Sequence, residues 1–135
     1  RMEPLYMPIV KSFNERLSTE VKNRFAWLPN GRFLANNVDG ESVMVAAQRL
    51  ASRKEAGKCM IVLSDGAPAC YGDSRAASAH LRETVQRIEK SGIKVIGIGV
   101  NSTDVTRYYP KNIVINDVSE LPTRVIGELR KLLLQ

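Results

Sequence analysis

The chain is 135 residues long, 44% hydrophobic and 25% charged, with a formal net charge of +6. This length supports one domain with a hydrophobic core and excludes two. No apolar run is long enough to span a bilayer and no charged-then-apolar leader is visible, so neither a membrane span nor a secretory signal is expected.

Residues 1–30 read as two helical pieces. Leu5, Met7, Ile9, Val10, Phe13 and Leu17 are spaced for one apolar face, with Pro8 placed to cut or kink it. Ser18-Thr19-Glu20 offers a start for a second helix through Val21, Phe25, Ala26 and Leu28, and Pro29-Asn30-Gly31 ends it. Segment 31–38 reads as a loop. Asp39-Gly40-Glu41 opens a helix whose Val43, Ala46, Ala47 and Leu50 recur at the helical period, and Ala56-Gly57 stops it.

Cys59-Met60-Ile61-Val62-Leu63 is continuous and apolar, too short for a helix and bounded by Gly57 and Gly66. Such a run predicts a strand buried on both faces. A loop rich in Ser, Gly, Pro and Asp spans 64–75. A helix over 76–90 follows, with Ala79, Leu81, Val85 and Ile88 inward and Gly92 past its end. Ile93–Val100 is a second strand, 101–110 a loop with a helical turn, and Ile113-Val114-Ile115 a third, shorter strand. A last helix spans 119–134, with Leu121, Val125, Ile126, Leu129 and Leu132 on one face.

Strands that alternate with helices imply an α/β fold with a parallel sheet. Ligands of such sheets bind outside the carboxyl ends of the strands. Those ends carry Ser64-Asp65, Gly99-Val100-Asn101 and Asn116-Asp117.

Asp65 directly follows an apolar strand, where a carboxylate can offer oxygen to a hard cation such as Mg²⁺. Asp-Gly is also a common turn pair that needs no ligand. Asp39 and Glu41 precede a helix and suit its N-terminus for capping and dipole reasons alone. They can equally face the crevice of Asp65, and grouped carboxylates favour a cation. Gly97-Ile98-Gly99 has Ser102 where a dinucleotide fingerprint needs a third glycine, so the pair reads as close packing at a strand end. No phosphate-binding P-loop motif occurs.

Ser64 has one candidate base, His80, the only histidine, and no nucleophile-elbow context. Cys70 sits beside Tyr71 with nothing nearby to lower its pKa. Neither supports hydrolase chemistry. Cys59 and Cys70, eleven residues apart, form neither a disulfide framework nor a zinc spacing, and reduced thiols in a cytoplasm fit better. The Lys and Arg residues are scattered among acids, as in Arg53-Lys54-Glu55, which favours solvated helix faces over a nucleic-acid surface. The loop Thr103–Pro110, with Arg107, Tyr108 and Tyr109, reads either as an interaction surface or as a packing turn over the sheet edge.

Five motifs occur in order: Val38-Asp-Gly-Glu-Ser42, Met60-Ile-Val-Leu-Ser-Asp-Gly-Ala-Pro68, His80-Leu-Arg82, Ile96-Gly-Ile-Gly99 and Asp104-Val-Thr-Arg-Tyr-Tyr109. From about residue 32 onward they resemble the C-terminal von Willebrand factor A-type (VWA) domain of the CobT subunit of aerobic cobaltochelatase. The N-terminal helices match only loosely. The resemblance implies the C-terminal half of a Rossmann-like parallel sheet with flanking helices, organised as one partial domain over 1–135 with N-terminal helices in 1–30 and a βα core in 39–135. It implies a cytoplasmic, non-catalytic adaptor for an AAA+ ATPase and a large chelatase subunit, which together insert Co²⁺ into a corrin ring at the expense of ATP.

Domains of this type hold Mg²⁺ at a metal-ion-dependent adhesion site. Asp65 matches that site's last Asp, Glu41 falls at its Thr-type position, and Asp39 lies close by. The Asp-x-Ser-x-Ser loop of such sites does not occur in this sequence. The resemblance therefore implies an incomplete site with low occupancy, and a chain that is part of a longer protein. The strand at 59–64 would then have a free edge, and such edges recruit other strands. Either a homodimer through that edge or N-terminal helices folded over it is expected. Three other functions stay open: an adaptor of another MoxR-type AAA+ machine with no tetrapyrrole role, a small cation-dependent hydrolase using Asp65 and Glu41, and a charge-driven nucleic-acid binder.

Overall fold

Residues 5–28, 37–69 and 73–133 are described by a computed structural model of the chain. The chain divides into two units, Arg1–Asn36 and Asn37–Gln135. In the first, α1 spans Thr19–Trp27, and the Ser18 hydroxyl caps it by accepting from the Val21 amide at 3.3 Å. Arg24 on α1 pairs with Glu15 and holds its carboxyl below the usual range.

Residues 5–17 are not helical, contrary to their apolar spacing. Pro8 removes a backbone donor and no Ser, Thr, Asp or Asn stands before Leu5 to cap a start. Leu5, Ile9, Phe13 and Leu17 also stay exposed, so the apolar stripe is not buried, and burial is what sustains most helices in proteins.

The second unit runs α2 (Asp39–Ala51), β1 (Lys58–Ser64), α3 (Ser74–Lys90), β2 (Ile93–Val100), α4 (Val105–Tyr108), β3 (Asn112–Ile115) and α5 (Leu121–Leu133). A 3₁₀ turn, Val118–Glu120, leads into α5. The sheet order is β1-β2-β3, with both pairings parallel. Ser64 is in register with Gly99 and Val100 with Ile115, so the strands end along one edge. The α/β class and parallel sheet expected from the sequence are the observed ones.

Side chains alternate across the sheet, as strand geometry demands. One face joins Met60 and Val95 to Val43 and Ala47 of α2, to Leu81, Val85 and Ile88 of α3, and to Val105, Tyr108 and Tyr109. The other joins Ile96, Ile98, Ile113 and Ile115 to Leu121, Val125 and Leu129 of α5. The glycines of β2 serve the first face. A Cβ on Gly97 would lie 2.4 Å from the Tyr109 ring, and one on Gly99 would lie 2.1 Å from the Ser102 carbonyl. The Gly-x-Gly pair is thus a packing device.

Three details differ from the sequence expectation. Strand β1 is not buried on both faces: Met60 is buried, but Leu63 is 54% exposed. Its place at the sheet edge explains this, because β2 is its only strand neighbour among the described residues. Ala79 is exposed, since it lies about 200° around α3 from Leu81. Ile126 is also exposed, turned about 100° from the Val125 stripe of α5. The side chain of Leu132, the stop at 29–31, most of the 31–38 loop, and Cys70 with Tyr71 lie outside the described residues. No helix among the described residues is long and apolar enough to cross a membrane.

Candidate functional site

The carboxyl edge of the sheet gathers the predicted acidic residues from two elements. Asp65 follows β1 directly. Asp39 is the first residue of α2, and Val38, not Asp39, occupies the capping position. What places Asp39 there is the backbone: the Asn37 amide donates to the Ala69 carbonyl at 2.9 Å in an isolated antiparallel bridge. That bridge ties the entry of α2 to the loop leaving β1. The Asn37 side-chain amide then donates to Asp39 Oδ1 at 2.9 Å.

The electrostatics report the proximity of the two aspartates. Burial pushes the Asp39 carboxyl above its usual range, and the Asp65 charge adds to this, while the Asn37 hydrogen bond opposes it. Tyr109 is 3% exposed, and burial, then the Asp39 charge, pushes its phenol far above the ordinary value. Asp39, Asp65 and Tyr109 thus interact in one place, which no sequence spacing announces.

Glu41 is turned elsewhere. Its Oε2 is buried and lies 3.6 Å from His80 Nδ1 of α3. Gly40 permits this approach, because a Cβ there would meet the imidazole at 2.2 Å. Asp39, Glu41, Asp73 and His80 line a cavity of about 280 Å³ between the starts of α2 and α3. Asp73 is engaged as the α3 cap, accepting from the Arg75 amide at 2.8 Å.

Among the described residues no three Asp, Glu, His or Cys side chains form a group able to hold a metal ion. A hard cation held mainly by protein needs more oxygen ligands than two aspartates supply. The described residues therefore do not enclose Mg²⁺, and two carboxylates would leave most of its positions to water. The third strand end offers no further ligand, because Asp117 caps the 3₁₀ turn by accepting from the Ser119 amide at 2.8 Å.

Ser64 and His80 do not pair as nucleophile and base. The Ser64 hydroxyl donates to the Gly66 carbonyl at 2.8 Å, and His80 faces Glu41 instead. Burial raises the Cys59 thiol above its ordinary pKa, which makes it a poor nucleophile at neutral pH.

Of the two readings of the Thr103–Pro110 loop, Tyr108 and Tyr109 follow the packing turn and not the interaction surface. They are 5% and 3% exposed and belong to the core, Tyr108 sharing a 3.1 Å hydrogen bond with Ser78. Only the alternation of the short helix α4 with an extended residue turns both rings inward. Arg107 remains outside, with Asp104 at 3.7 Å.

The family model "Cobalamin biosynthesis protein CobT VWA domain" matches residues 1–135, the whole chain. The chain belongs to this family. The CobT-type match includes the N-terminal residues that resemble the family only loosely by motif. The CobT-type chain is also 30% identical over 107 residues to Uncharacterized protein YojO of Bacillus subtilis (strain 168), covering 73% of this chain. It spans only 17% of that relative's length. No solved structure matches.

Proposed function

We propose that this VWA domain is a non-catalytic adaptor of an ATP-dependent cobaltochelatase, linking an AAA+ ATPase to the large subunit that inserts cobalt into a corrin ring. The observation that carries this reading is the family match over the full chain. The site geometry is compatible with the non-catalytic part: at the acidic edge Asp39 and Asp65 lie within electrostatic reach, and the described residues hold no group of three metal-binding side chains. A domain of this kind contributes surfaces, not bond-making groups.

An adaptor of a MoxR-type machine without a tetrapyrrole role is the second reading, and the match to Uncharacterized protein YojO does not separate the two. Reconstitution separates the two. A chelatase assembled from ATPase and large subunit should insert Co²⁺ only when the protein containing this domain is added. Cobalt insertion at full rate without it would overturn the adaptor reading.

A further inference from the structure

A second cavity opens on the other side of the α3 start. It has a volume of about 400 Å³ and lies between α3, α4 and the loop after β1. Three arginines line it: Arg75 and Arg82 from α3, and Arg107 from α4. All three are exposed. Arg75 and Arg82 are seven residues apart, so they stand on one stripe of the helix, about 10 Å apart along its axis. The Arg82 Nε donates to the Arg107 carbonyl at 3.2 Å, which fastens the two elements together. Pro68, buried Tyr108 and the Ser78 hydroxyl form the floor. Asp104, 3.7 Å from Arg107, is the one acid in ion-pair range of these arginines among the described residues, and Asp73 at the α3 cap lies two residues from Arg75.

We propose that this pocket binds the carboxylates of an acidic segment of a partner protein. Guanidinium groups match carboxylates as planar forks and are weakly hydrated, which suits them to protein interfaces. Their spacing selects the ligand. A single phosphate needs donors converging on one point, whereas side chains anchored about 10 Å apart along α3 match carboxylates three residues apart on a polyproline II segment, which rises about 3.1 Å per residue and returns every third side chain to one face. The apolar floor suits the methylenes of glutamate. A nucleic-acid strand would want an exposed aromatic platform, and the pocket's aromatic ring is buried. The overall charge of +6 does not create the site; the placement of three arginines around a concave surface does.

The inference goes beyond the adaptor reading and does not depend on which ATPase is the partner. The test is fluorescence anisotropy of the 135-residue chain with a labelled twelve-residue peptide bearing Glu at every third position. Its isomer with Gln at those positions is the control. The acidic peptide should bind saturably, and the Gln peptide should not.

Arg75→Gln with Arg82→Gln should weaken binding about tenfold, the loss of two charge-assisted contacts. Arg75→Gln alone removes a side chain that makes no hydrogen bond or ion pair among the described residues, so its smaller loss separates binding from folding. Lys58→Ser, Lys90→Ser and Lys94→Ser together remove more charge at the opposite edge of the sheet and should change affinity by no more than about twofold, as screened distant charges do. Equal losses in the two sets, equal binding of the Gln peptide, or inorganic phosphate or a DNA oligonucleotide binding as tightly as the peptide would overturn the proposal.

Discussion

Gly97→Ala is the substitution whose cost the packing defines most sharply. The added Cβ would sit 2.4 Å from both Cγ and Cδ2 of Tyr109 and 2.8 Å from its Cβ. Carbon atoms pack at about 3.5–4.0 Å, so the ring must retreat by about 1 Å or the strand must bend. Neither is easy. Tyr109 is 3% exposed, its backbone amide donates to the Val105 carbonyl at 3.0 Å, and Gly97 sits between two strands. Overpacking of this kind costs about 1–3 kcal/mol.

Urea denaturation followed by circular dichroism would measure it. Truncating the ring should relieve the clash, so Tyr109→Ala, itself costing about 3–5 kcal/mol, should be markedly less than additive with Gly97→Ala. A change below about 0.5 kcal/mol for Gly97→Ala, or strict additivity in the cycle, would refute the packing account of the Gly-x-Gly pair.

Gly127→Ala tests the opposite case: it lies inside α5 with nothing within 4 Å of the added carbon, so it should stabilise the fold by about 0.5–1 kcal/mol, and a lower melting midpoint would contradict this. Asp39 binds its proton more tightly folded than unfolded, so its contribution to stability is full below the ordinary carboxylate range and is lost as pH rises through the folded-state pKa. Asp39→Asn should therefore melt higher than the parent at pH 7, with the gap closing toward pH 3; a gap that ignores pH would show that Asp39 carries no such penalty. Titration with Mg²⁺ by calorimetry should give no affinity tighter than about millimolar, as for an ion left mostly to its waters, and low-micromolar binding would overturn the two-carboxylate description. The edge of β1 that pairs with no strand among the described residues should drive concentration-dependent dimerisation in sedimentation velocity, reduced by Leu63→Lys, and a strict monomer at high concentration would count against it.

The three strands and the order of the βα core are legible in the sequence because each signal is local. Segment 59–63 is a continuous apolar run between Gly57 and Gly66, and 93–100 is a mostly apolar run after Gly92, both too short to read as helices. Segment 5–17 shows the converse, a helical stripe that local spacing supports but neither a cap nor burial sustains. The site was legible in composition but not in arrangement. Asp39 and Asp65 were visible as edge carboxylates, yet their meeting depends on the Asn37–Ala69 bridge, a contact across 32 positions that no periodicity encodes. Glu41 could not be assigned to His80 without knowing how closely Gly40 lets the two helices approach. The burial of Tyr108 and Tyr109 was hidden in the same way, since two adjacent aromatics in a polar loop can look like a surface until Gly97 of β2 supplies the space beneath Tyr109. The arginine pocket did leave a signal, Arg75 and Arg82 at i and i+7 with Ser78 between them, which marks one helix stripe as cationic.

The adaptor role is the central claim, and direct binding tests it most plainly. Purified protein containing this domain should bind the AAA+ ATPase subunit of a cobaltochelatase by calorimetry, and a MoxR-type ATPase from the same cell should not compete. No binding to the chelatase ATPase, or preference for the MoxR-type enzyme, would contradict it.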